Sequence, residues 1–186
     1  MYIPSRYRQA GLSLIELVMF IVIVGVAVAG VLSVMNVTTQ HSADPMVRKQ
    51  ALAIAEALLE EVELQPFTYC FPTDPLALTA SSASGCTGGV AGSEDTLPAT
   101  ARVTSPRNAN NVSDYTNFSM SPIVDITGSP ITGLGAYTAS VSIAQVGTSF
   151  SLPAAEVLQI DVRVVSGSTD ITLTGYRFRY APNAVP

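Results

Sequence analysis

Residues 17–35 read LVMFIVIVGVAVAGVLSVM, nineteen positions that are apolar or glycine except for Ser33. At helical rise the stretch covers roughly 28 Å, enough to cross a hydrocarbon core about 30 Å thick. Nothing later in the chain approaches this length of apolar sequence, so one membrane span is expected. The leading segment, Met1 to Gly11, carries Arg6 and Arg8 and no acid. By the positive-inside rule the N-terminus stays cytoplasmic and the rest of the chain faces outward.

The whole chain has 186 residues, 48% hydrophobic and 12% charged, which excludes a disordered or coiled-coil protein and favours a membrane-associated or exported one. Nine basic residues against fourteen acidic give a net charge of −5, which opposes nucleic-acid binding. Arg177 and Arg179 alternate with Tyr176, Phe178 and Tyr180, read as an ordinary strand with one face in the core. His41 stands alone, and with two cysteines it leaves too few ligands for zinc and too few partners for a His-based catalytic centre. No enzyme activity, cofactor or metal is expected.

Three readings of the N-terminal segment are open. It is a plain signal anchor, or a secretory signal cut after Ala27-Val28-Ala29, or a processed assembly helix. Against the second, the apolar run continues through Val31, Leu32, Val34 and Met35, where a cleaved signal turns polar. The third starts from Glu16. A carboxylate in a membrane helix costs on the order of 3 kcal/mol and is read as functional, with a cation to be named. The chain has no basic residue between Arg8 and Arg48, but cleavage after Gly11 creates an α-amine on Leu12, four residues before Glu16.

Gln9-Ala10-Gly11 followed by Leu12-Ser13-Leu14-Ile15-Glu16-Leu17-Val18 resembles the prepilin processing motif of type IV pilins and type II secretion pseudopilins. The resemblance implies that a membrane prepilin peptidase cuts after Gly11 and that the new N-terminus, Leu12, is methylated. It also implies that Glu16 pairs with the N-terminal amine of an adjacent subunit during assembly. Leu12 departs from the Phe commonest at that position. The cut removes Arg6 and Arg8, leaving 7 of the 9 basic residues against 14 acidic and a net charge of −7.

Asp44-Pro45 reads as a helix start, because the carboxylate accepts first-turn N–H groups and proline has none to satisfy. Ala51, Leu52, Ile54, Ala55, Leu58, Leu59 and Val62 then recur at helical spacing until Pro66 ends the helix. The first helix of the pilin family runs on with little interruption, and here Pro45 is expected to break it. Ser42-Ala43-Asp44-Pro45 leading into residues 48–61 is similar to the D-type minor pilins of the mannose-sensitive haemagglutinin (MSHA) pilus system.

Cys70 and Cys86 face the exterior and are expected to pair, the alternative being two buried thiols. Glu56, Glu60, Glu61 and Glu63 read as a solvated helix face, and Asp74, Glu94, Asp95, Asp114 and Asp125 as acids scattered over loops. Alternation over Tyr137–Val146, Leu158–Val164 and Asp170–Tyr180 predicts three antiparallel strands, with Ser166-Gly167-Ser168 as a turn. The apolar parity shifts at Gly175, which predicts a bulge.

The expected fold is therefore α+β and pilin-like, a long N-terminal hydrophobic helix interrupted near Pro45 and packed on an antiparallel β-sheet. Its parts are a leader over 1–11, a transmembrane and assembly helix over 12–40, and an exported domain over 41–186. That domain divides into a helix at 45–64, a disulfide-containing variable region at 67–135, and strands at 136–181. The expected function is that of a minor pilin in an MSHA-type type IV pilus, with a role in pilus biogenesis or adhesion. Its partners would be the prepilin peptidase, other major and minor pilins, the inner-membrane assembly platform and the membrane itself, with no nucleic acid. It would sit in the inner membrane before assembly and in the periplasm or surface pilus afterwards. A type II secretion minor pseudopilin, or a membrane-anchored surface-binding domain centred on the disulfide region, is the alternative.

Overall fold

Period-two alternation needs an apolar partner face, and the helical stripe of residues 51–62 supplies it. The computed structural model describes residues 13–103, 107–183 and 185, with only the helical backbone for 36–44. A helix α1 (Leu14–Glu63) precedes four strands, β1 (Ser119–Met120), β2 (Thr138–Gln145), β3 (Val157–Ser166) and β4 (Thr169–Phe178). The fold class is α+β, with two compact units that divide between Pro45 and Met46.

In the first unit, every residue of α1 from Leu14 to Met35 is exposed. These 22 residues are apolar or glycine except for Glu16 and Ser33. The helix is long and apolar enough to anchor the chain in a membrane. Pro45 lies inside α1 and does not start a second helix. Its missing N–H removes one intrahelical bond, and the hydrogen-bonded turns on either side carry the helix through.

In the second unit, the sheet is antiparallel throughout in the order β1-β2-β3-β4. Ala51, Ala55, Leu58 and Val62 of α1 are buried against one sheet face, which presents Val141 from β2 and Ile160, Val162 and Val164 from β3. The described residues between 67 and 135 form short 3-10 turns and loops, and also contribute β1, a strand of two residues that is too short to show alternation in sequence.

The bulge expected at Gly175 is absent. β3 and β4 pair without a skipped residue, Ile160 facing Gly175 and Leu158 facing Arg177. Gly175 stays on the helix-facing side, where a Cβ would collide with the Glu63 carboxylate and come within 3.0 Å of Leu59 Cδ1. Glycine there admits the helix. Arg177 follows on the same face, so Tyr176 and Phe178 point to solvent and are 47% and 41% exposed. Reading these aromatics as core residues is thereby corrected: apolar parity shifts because the inner face gives way to a glycine and an arginine.

Candidate functional site

At the head of α1, the Ser13 carbonyl accepts the N–H groups of Glu16 (3.0 Å) and Leu17 (3.2 Å). Glu16 lies in the first turn, beside the positive end of the helix dipole. Ser13 and Glu16 also stand at the sequence spacing of a capping box. Gly11 and Leu12 lie outside the described residues.

Cys70 and Cys86 are disulfide-bonded, with Cα atoms 5.4 Å apart. Ala77 and Ala80 pack against the bond. Asp74 closes the loop by accepting the Leu76 N–H (2.8 Å), the Thr87 N–H (2.8 Å) and the Thr87 hydroxyl (2.9 Å). These donors, the Leu76 N–H foremost, hold its carboxyl below the usual range. Cys70, Asp74 and Cys86 converge closely enough for a metal, but both sulfurs are consumed in the disulfide, so the trio offers no thiolate. The C-terminal segment docks on this loop through Asn183 Nδ2, which donates to the carbonyls of Ala77 (2.8 Å) and Ala80 (2.9 Å). Cys70→Ser is expected to lower stability by about 3 kcal/mol, the loop-closure value for a ring of this size. Urea unfolding of the full chain followed by near-UV dichroism checks it, and an unshifted midpoint would show the bond to be dispensable.

Two acids expected to be scattered come together. The Arg102 guanidinium pairs with Glu94 and, through Nε at 2.6 Å, with Asp114. The Ser113 hydroxyl also donates to Glu94, whose side chain is fully buried. Burial pushes the Glu94 carboxyl up to about 7, against the lowering effect of Ser113 and Arg102. Asn111 and Asp114 form a capping box around the 3-10 turn Val112–Tyr115, and Asn111 Nδ2 reaches Thr68 Oγ1 at 2.9 Å. That Asn-x-x-Asp spacing was the one sequence signal for this cluster.

The acidic helix face is also only partly solvated. Glu61 accepts the Tyr115 hydroxyl at 2.5 Å and pairs with Arg107 at 3.1 Å, while Glu56 and Glu60 remain exposed. The Arg179 side chain is fully buried between the rings of Phe67 (4.0 Å) and Tyr69 (4.4 Å) and is paired with Asp95. It is therefore a clamp between the end of the sheet and the start of the disulfide region. Beside α1, a groove of about 500 Å³ lined by Ala53, Ile54, Leu58, Ile123, Ile131 and Leu134 has the Glu61–Arg107 pair at its border.

The geometry brings together acids, three arginines and a disulfide as structural ties, and these can hold loops in place. Family models, curated proteins and solved structures give no match to this chain.

Proposed function

We propose that the chain is a minor subunit of a type IV pilus-like filament of the MSHA type, exported N-terminus-in and cut by a prepilin peptidase between Gly11 and Leu12. One observation carries this reading. An exposed apolar helix from Leu14 to Met35 holds a single carboxylate, Glu16, in its first turn, at the motif distance from Gly11. A methylated Leu12 amine on a neighbouring pilin would neutralise Glu16 in the lipid, and the apolar helices would then pack as a bundle. The domain beyond Pro45 would be carried outward, its loops fastened by the disulfide in an oxidising compartment.

Intact-mass and N-terminal analysis of the protein recovered from membranes of a piliated cell tests the assignment. The expected N-terminus is Leu12 with one added methyl. A mature N-terminus at Gly30, or an uncut Met1, would remove the filament reading with its motif.

A further inference from the structure

β4 is an edge strand: β3 lies on one side and no described strand on the other. The register determines which of its backbone groups face the open side. The two-residue turn at Gly167 and Ser168 makes Ser166 and Thr169 a hydrogen-bonded pair, and bonded pairs recur at every second residue from there. The bond from the Arg179 N–H to the Glu156 carbonyl, at 3.0 Å, has the same parity. Asp170, Thr172, Thr174, Tyr176 and Phe178 therefore direct their N–H and C=O groups away from β3. None of these groups has a backbone partner among the described residues.

Proteins guard such an edge with proline, lysine or a bulge. β4 runs ten residues with none of them. Its outward residues carry one charge, Asp170, neutralised by Arg163 at 2.6 and 2.9 Å. An exposed aromatic cluster stands on the solvent-facing side of β4, Phe150 standing edge-on to Tyr176 (5.6 Å) and Phe178 (5.2 Å).

We propose that β4 pairs antiparallel with β4 of a second copy of this chain, about a two-fold axis at Thr174, joining two sheets into one. Alternating donors and acceptors are matched by another strand, and antiparallel pairing makes one strand complementary to itself. In this register Thr174 meets its own counterpart and Thr172 meets the partner's Tyr176, both favourable cross-strand pairs. The two Asp170 carboxylates lie at opposite ends, so like charges do not meet. The proposal does not rest on the filament reading.

The test uses the full chain in detergent. Light scattering is expected to give a dimer, and Thr174→Cys to give a covalent dimer on oxidation, while Ser142→Cys, exposed on β2, does not. Thr172→Pro removes an outward N–H and no bond to β3. It is expected to raise the dimer Kd at least about tenfold, since each copy loses a hydrogen bond to the other, with unchanged circular dichroism. Thr172→Lys, which installs an edge guard, is expected to act in the same direction and serves if the proline variant does not fold. A monomeric wild-type chain would overturn the proposal. So would a dimer that survives Thr172→Lys, because the apolar helix would then be holding it.

Discussion

Glu16→Ala is expected to be cut and methylated normally and to be missing from filaments. The carboxylate is a liability in lipid of about 3 kcal/mol unless a cation meets it. If docking relieves that cost, removing the charge weakens recruitment by about a hundredfold, since each 1.4 kcal/mol is tenfold. The capping-box spacing of Ser13 and Glu16 offers a competing account, in which the side chain merely finishes the first turn. Glu16→Gln separates the two, because glutamine caps as glutamate does and carries no charge. Charge pairing predicts that both variants are lost from sheared filaments while running at mature size. A glutamine variant assembled at the wild-type level would reduce Glu16 to a cap.

Arg102→Met is expected to cost about 3–5 kcal/mol at pH 8, because it leaves Asp114 and an ionised Glu94 in the interior without their cation. The pH dependence gives this prediction a second readout. The folded chain holds the Glu94 proton more tightly than the unfolded chain does, with the folded value near 7 against an ordinary 4.5. Stability contributed by this group is therefore full below about 4.5 and is lost as pH rises through about 7. Removing Arg102, which favours the charged form, extends that loss to higher pH, whereas Glu94→Gln abolishes it. Urea midpoints of the full chain at pH 5 and pH 8 decide the matter. Equal midpoints for wild type and Glu94→Gln at both pH values would show that Glu94 does not titrate there.

The groups that make these two predictions differ in how readily they could be found. Glu16 stands out in sequence because its neighbours are uniformly apolar and a charge is conspicuous against them. Glu94, Arg102 and Asp114 do not, because the segment between them has no periodicity, and only a folded loop brings residues eight and twelve apart in sequence onto one guanidinium. The same holds for Arg179. Its alternation with aromatic residues is legible, but not that it is buried between Phe67 and Tyr69 from the other end of the domain.

By itself the sequence determined the apolar span from Leu17 to Met35, the helical stripe of residues 51–62, the β3–β4 turn and, for the cysteines, which partner Cys70 could have. These follow from the chain's own periods of 3.6 and 2, from turn chemistry, and from there being only two cysteines. Tertiary structure decided the rest: the unbroken register at Gly175, the solvent-facing aromatics, the two-residue β1 and the buried acids. Each depends on which distant atom occupies the neighbouring space. Glu63 and Leu59 require a glycine at position 175 only because the helix crosses β4 there, and no local pattern records that crossing.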